Sequence, residues 1–367
     1  MTSIYLIRHA EEEGNLYRIA QGQYDSILTD RGWRQVRALE RRFESVHIDA
    51  VYTSDLYRTC ATSSAIYRPR GLKPQRRTGL REICVGDWEQ RTWGEIARDD
   101  PEEMENFTHR LHLWKMEGAE TPEQVRDRVL REIRSIAAEN DGKTVAIFSH
   151  GCAIRLVLAA LQGYSMEELG KTPHGDNTAV SLLEAEGDQL RVIYRDDNSH
   201  LSDPVYAAQE KVKNRANALE PGLWFEPLKP DQKPLLEALA SEGWRDGGMT
   251  KAFDGERLLA ETAERTTLIG YRAGEPVGAV QFGAEPGSIT LACIRGDARK
   301  KGFGVQLIGQ AVQYWRHRQV DRLRVTLPEG AAALTFFHDY GFETVENTPD
   351  GQLLEKDIHF DPEFLAH

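Results

Sequence analysis

No apolar run in this chain approaches the roughly 20 residues that cross a bilayer, and the apolar stretch after Met1 turns polar by Arg8. Neither a membrane span nor an export leader is expected. Cysteine is scarce: Cys60, Cys84, Cys152 and Cys293 are the four, and none stands in a C-x-x-C pair. That argues against a disulfide scaffold and for reduced thiols in a cytoplasmic protein. Positive charge is also short, with 46 Lys and Arg against 58 Asp and Glu and a net charge of −12. The acidic balance disfavours nucleic-acid binding, and any phosphate site must gather cations locally. Internal repeats and low-complexity segments are absent.

What is present is 367 residues, 40% hydrophobic and 28% charged, enough for two ordinary domains. Short apolar runs alternate with helical patterns, the mark of an α/β architecture with a largely parallel sheet. Ile4–Ile7, Ala50–Tyr52 and Thr144–Phe148 read as buried strands, and Leu190–Tyr194 as a last one. Helices are expected from Thr29 to about Phe43, from Asp55, from about Pro122 to Glu139 and from Gly151 to Leu161. Val125, Val129, Ile133 and Ile136 give the third of these an apolar stripe. The pattern breaks near residue 200, where turn residues precede a charged stretch, Ala207 to Ala218, that reads as a short connecting helix. The expected division is 1–202, a linker at 203–221, and a second domain at 222–367.

Three of the strands run into polar, mostly basic residues: Arg8-His9 after the first, Arg58 one turn beyond the second, Ser149-His150 after the third. Ligands in open α/β sheets bind beyond the carboxyl ends of the strands, so these side chains can converge at one mouth. Two arginines, two histidines and nearby helix N-termini would make a compact anion site.

Leu6-Ile7-Arg8-His9-Ala10-Glu11, with Asn15 seven positions after the arginine, resembles the signature of the histidine phosphatase (phosphoglycerate mutase-like) superfamily. Further blocks follow in order: Gln21-Gly22, Leu28-Thr29-x-x-Gly32-x-x-Gln35, Tyr52 to Thr59, Leu80-x-Glu82, Gly86-x-Trp88-Glu89 and Ser149-His150-Gly151. The resemblance covers about 200 residues and implies a three-layer α/β/α domain. It assigns the nucleophile to His9, phosphoryl stabilisation to Arg8, Arg58 and His150, and the proton donor to Glu82. Asn15 and the backbone around Gln21-Gly22 would complete the phosphate pocket, and no metal is implied. Arg8 and Arg58 should lower the pKa of His9 and favour its nucleophilic form. Ala10, Glu12 and Gln90 depart from the family's usual glycine, threonine and glycine, and the acidic run Glu11 to Glu13 is expected to be solvated.

Mutases of this family grip the substrate carboxylate with Glu-Arg-x-Tyr at the acid position, where this chain has Glu82-Ile83-Cys84-Val85. They also carry a long insertion, whereas about two dozen residues separate Gly94 from Gly118 here. The comparison favours hydrolysis of a small phosphomonoester over mutase-type transfer.

In the second half, strand, helix, two strands around Thr266–Phe282 and a strand at Ser288–Ile294 lead into Arg299-Lys300-Lys301-Gly302-Phe303-Gly304 and a helix to about His317. Glycines there would let backbone N–H groups approach phosphate oxygens at a helix N-terminus. The segment resembles the Arg-x-x-Gly-x-Gly pyrophosphate loop of the GNAT N-acetyltransferase superfamily, and the strand Leu323–Leu327 and the stretch from Ala333 to Gly341-Phe342 extend the likeness to about 140 residues. It implies a mixed α/β domain that binds acetyl-CoA through Ile294, Arg299, Gly302, Phe303 and Gly304, and acetylates a small amine. The family's asparagine and tyrosine positions hold Gly330 and Phe337, and a phenyl ring has no proton to give; His338 or Tyr340 would have to substitute. Two readings stay open: a bifunctional enzyme, or a phosphatase regulated by a CoA-binding module. The ester, the amine and the oligomeric state are encoded in no motif.

Overall fold

Strict alternation along the central strands sets the layering of the first half. In a computed structural model describing residues 1–209, 221–247 and 252–361, Ile4, Leu6, Val145 and Ile147 join one apolar cluster, and Ile7, Val51, Ala146 and Phe148 another. Successive side chains of a strand point to opposite faces. Helices must therefore cover both.

The first half runs β1 (Thr2–Arg8), α1 (Glu13–Tyr17), α2 (Asp30–Phe43), β2 (Ala50–Thr53), α3 (Tyr57–Arg70), β3 (Gln75–Arg76), α4 (Trp93–Asp99), α5 (Pro101–His109), α6 (Pro122–Glu139), β4 (Thr144–Ser149), α7 (Gly151–Leu161), β5 (Val180–Glu186), β6 (Gln189–Asp197) and α8 (Pro204–Gln209). One six-stranded sheet has the order β3-β2-β4-β1-β5-β6. The first four strands are parallel, and β5 and β6 close the edge as an antiparallel hairpin. The strand β5 is missing from the sequence reading, because Ser181 and Glu184 break its apolar run. α2 and α3 pack on one face, α6 and α7 on the other.

Local signals explain the helix starts. Thr121 caps α6 in a reciprocal box with Gln124, with Pro122 in the first turn, so the expected limits hold. Thr29 caps α2 by accepting the Gly32 N–H; a β-carbon at Gly32 would lie 2.1 Å from the Glu11 carbonyl oxygen. α3 begins two residues later than expected. Asp55 is drawn away to Arg81, and the Tyr57 N–H is instead held by the Asp25 carboxylate at 2.8 Å, a cap from 32 residues upstream.

The second half runs β7 (Trp224–Pro227), α9 (Lys233–Asp246), α10 (Gly255–Glu261), β8 (Thr267–Arg272), β9 (Glu275–Phe282), β10 (Ile289–Ile294), α11 (Gly304–Arg316), β11 (Arg322–Leu327), α12 (Ala333–Asp339), β12 (Glu343–Thr348) and β13 (Gly351–Asp357). Its strands form sheets ordered β10-β9-β8-β7 and β11-β13-β12. α10 and the β12–β13 hairpin add to the expected order. Of the expected connecting helix Ala207–Ala218, residues 207–209 lie in α8 and 210–218 fall outside the described residues.

The two halves share apolar contact. Tyr17 and Ile19 belong to the cluster built on α11 and the second-half sheets. Gly94 meets the backbone of Leu223 and Trp224 so closely that a β-carbon would stand 2.3 Å away. Among the described residues, no helix is long and apolar enough to cross a membrane.

Candidate active site

Parallel pairing of β1 with β4 places Arg8 opposite Ser149, so both chains leave the sheet together. The His9 N–H donates to the Ser149 carbonyl at 3.1 Å, and the His9 and His150 rings lie 5.3 Å apart. Arg58 arrives from the first turn of α3, 1% exposed. Three elements spread over about 140 residues of chain thus deliver His9, Arg58 and His150 to one buried place beside Arg8.

The two imidazoles are held in complementary states. His9 Nδ1 is 2.8 Å from the Ala10 carbonyl oxygen, which can only accept, so Nδ1 carries the proton and Nε2 the lone pair. His150 Nδ1 accepts from Arg58 Nε at 3.2 Å, so its proton is on Nε2. Burial, then the charges of Arg58 and Arg8, push His9 well below its ordinary pKa. Burial and Arg58 do the same to His150. Both rings are neutral at pH 7.

The guanidinium of Arg58 is gripped by main-chain carbonyls, Tyr24 at 3.0 Å and Gly22 at 2.6 Å. That loop is fixed in turn by the Glu89 carboxylate, which accepts from the N–H groups of Gly22, Gln23 and Tyr24 at 3.1, 2.7 and 3.0 Å. The Gly22 amide is therefore committed to Glu89, and Gly22 acts on the pocket by holding Arg58. Gln21 points elsewhere, its side-chain amide lying 2.9 Å from the Ser26 hydroxyl. Asn15 is tied to His9 through Asn177, whose amide donates to Asn15 Oδ1 at 3.0 Å and to the His9 carbonyl at 3.1 Å. Glu89 stands in the quoted motif without an assigned task, and Asn177, 168 residues from His9, has no sequence signal at all.

Glu82 lies at the N-terminus of α7. Its carboxyl accepts from the N–H groups of Cys152 at 3.0 Å, Ala153 at 2.9 Å and its neighbour Ile83 at 3.0 Å. Two buried nitrogens near this cluster, Arg8 Nε and His150 Nε2, have no hydrogen-bond partner. Buried donors are ordinarily satisfied. Left without a partner close to the His9 ring, they are donors that an anion would satisfy.

The acidic run is not solvated as expected: Glu11, Glu12 and Glu13 are all buried. Each has polar partners, and burial nonetheless pushes Glu12 above its ordinary pKa. Glu11 accepts from Thr29 at 2.8 Å and pairs with Arg31 at 3.0 Å. Glu12 caps α1 and accepts from Ser26 at 2.5 Å. Glu13 pairs with Arg316 of the second half.

In the second half, β10 meets β11 only at Ser288 and Arg324 and then diverges from it. Beyond β10, Lys300 and Gly302 adopt φ of +58° and +82°, and no side chain caps the N-terminus of α11. Free N–H groups with Lys300 and Lys301 beside them suit a phosphate. Arg299 is engaged by the Ile294 carbonyl at 2.7 Å and Asp246 at 2.6 Å. The Phe303 ring is buried, so it can offer only its backbone. Gly304 admits the Phe336 ring, 3.1 Å from where a β-carbon would be. Phe337 is buried against Phe342, Gly330 sits at φ +76°, and His338 Nδ1 donates to the Phe342 carbonyl at 2.9 Å. Tyr340 packs on Phe336 with ring centroids 5.1 Å apart.

Residues 4–198 match the model of the histidine phosphatase superfamily (branch 1), and residues 245–352 that of the acetyltransferase (GNAT) domain. The chain is 26% identical over 212 residues to phosphoserine phosphatase 1 of Hydrogenobacter thermophilus, covering 58% of this chain and all of that protein. A protein described as a probable phosphoglycerate mutase, GpmB of Salmonella choleraesuis, is 28% identical over 163 residues, 44% of this chain and 76% of the relative. Among solved structures, YhfR of Bacillus stearothermophilus aligns with a TM-score of 0.53 at 33% identity, over 55% of this chain and all of its own. The chain therefore belongs to the histidine phosphatase superfamily, branch 1, and carries a GNAT acetyltransferase domain behind it.

Proposed function

We propose that residues 1–202 form a phosphatase domain that hydrolyses a small phosphomonoester through a phosphohistidine at His9. The observation that carries this reading is the pair of unpartnered buried donors, Arg8 Nε and His150 Nε2, beside a neutral imidazole with its lone pair on Nε2. His9 Nε2 attacks phosphorus and the ester P–O bond breaks. Glu82, brought into its acid form by the proton carried in with an ester monoanion, gives that proton to the departing oxygen. Arg8, Arg58 and His150 hold the phosphoryl oxygens, with Asn15 at the rim, and stabilise the charge of the transition state. A water then gives its proton back to Glu82 and attacks phosphorus, the N–P bond breaks, and phosphate leaves neutral His9.

Ile83 and Val85, at positions where a mutase would grip a carboxylate, are buried and apolar, which favours hydrolysis over mutase-type transfer. The relative named a phosphoserine phosphatase makes phosphoserine the first ester to test.

Residues 222–367 form the second domain, joined through 203–221. Its loop fits acetyl-CoA: the N–H groups of Gly302, Phe303 and Gly304 would hold the pyrophosphate, with Ile294 and Arg299 shaping the loop. The cofactor supplies an acyl thioester for transfer to a small amine. The burial of Phe337 leaves no acid at the family's tyrosine position and favours the second reading, a CoA-binding module acting on the phosphatase.

The test is phosphate release from a panel including phosphoserine and 3-phosphoglycerate, native protein against His9→Ala, with acid-labile phosphoprotein trapped on rapid quenching. Loss of release in the variant is expected. Activity retained by it would overturn the assignment of the nucleophile.

A further inference from the structure

α11 does more than present a loop at its N-terminus. Its last turn carries Arg316, which reaches across the interface and grips Glu13 with two nitrogens, at 2.7 and 3.1 Å. The same guanidinium donates to the Ile358 carbonyl at 3.0 and 2.8 Å, so it is held rigidly from its own side. The Glu13 side chain is 6% exposed and stands next to two other buried carboxylates. Removing one partner of a buried pair strands the other charge, which must then move towards water.

Glu13 is badly placed to move without consequence. It is the first residue of α1, four positions after His9. α1 also bears Asn15, which holds Asn177, which holds the His9 carbonyl. Tyr17 at its other end lies against Gly309 of α11 with no room for a β-carbon, 2.5 Å away. Tyr24, whose carbonyl grips Arg58, lines the same small cavity as Glu13 and Arg316. The wall of the phosphoryl pocket built on α1 thus leans on one side chain from the other half of the molecule.

We propose that Arg316 is a positioning residue for the phosphatase reaction, so that the second domain completes the phosphatase site from across the interface. This rests on the phosphatase reading above. A mere domain tie would lower stability and leave each folded molecule as active as before. Positioning predicts a change in kcat itself, which double replacement should repair.

The experiment uses the full chain and an ester that the native protein turns over and His9→Ala does not. Arg316→Met keeps the bulk and strands Glu13; kcat should fall about tenfold with KM changed less than threefold, within the range of long-distance couplings. Glu13→Gln combined with Arg316→Met leaves a neutral pair, and kcat should recover to within about threefold of native. Arg316→Lys keeps the charge but loses the two-nitrogen grip, so kcat should fall by about threefold or more, and this variant covers the case in which Arg316→Met does not fold. Native kcat in folded Arg316→Met, or a tenfold loss that the double variant does not repair, would overturn the proposal. If Arg316→Met does not fold, native kcat in folded Arg316→Lys would do the same. No release by the native protein, or full release by His9→Ala, would instead remove the phosphatase reading.

Discussion

Two histidines of the same residue type, in one pocket, are given opposite tasks by one hydrogen bond each. A carbonyl beside His9 Nδ1 leaves a lone pair on Nε2, and an arginine N–H beside His150 Nδ1 leaves a proton there. A third residue decides whether that arginine stays in place. Glu89 gathers three consecutive N–H groups and so aims two carbonyls at Arg58. A neutral amide cannot accept all three, and hydrogen bonds to a charged group are worth about 1.5–3 kcal/mol each. Glu89→Gln is expected to weaken product inhibition by inorganic phosphate and kcat/KM by about tenfold or more. Unchanged kinetics in a folded variant would show that the loop holds Arg58 without it.

At the scale of elements, the chain uses short helices where partners beyond the helix supply the stability. α1 has five residues, too few to stand alone in water. It persists because Glu12 and Asn15 form its capping box and because α11 covers its apolar side. Gly309 is the contact point, in the middle of α11, where glycine costs about 1 kcal/mol relative to alanine by propensity alone. Gly309→Ala should nevertheless destabilise the protein by about 1–3 kcal/mol, because its methyl group would overlap Tyr17 Cβ and Cγ. Urea denaturation would measure this. A gain in stability would mean that α1 and α11 can separate cheaply.

Across the whole molecule, burial keeps a set of histidines uncharged. His9 and His150 lie well below their ordinary pKa, and burial beside Arg42 brings His200 down to about 4. In the unfolded chain each titrates near 6.5. Between these values the unfolded state binds protons that the folded state refuses, so stability is full above about pH 6.5 and is lost as pH falls towards 4. The loss approaches about 1.4 kcal/mol per pH unit for each such histidine, and above pH 5 most carboxylates have yet to titrate. Thermal melting should fall measurably between pH 6.5 and 5, and His200→Gln should flatten that fall. A melting temperature flat across this interval would contradict the burial of these rings as neutral species.

The layered α/β architecture, the helix limits of α2 and α6 and the meeting of His9, Arg58 and His150 at one mouth were legible in one dimension. Their signals are local: alternation along a strand, a capping threonine, a short motif at a strand end. Tertiary structure decided the rest, because it depended on groups distant in sequence. Asp25 caps α3, Asn177 holds His9, and Ser181 enters a strand that its polarity conceals. The acidic run at Glu11 to Glu13 shows the reason most plainly. A run of three carboxylates reads as solvated until the fold brings Thr29, Ser26, Arg31 and Arg316 to meet it. Whether a charge is buried is set by its partners in space, and a linear sequence states only its neighbours in the chain.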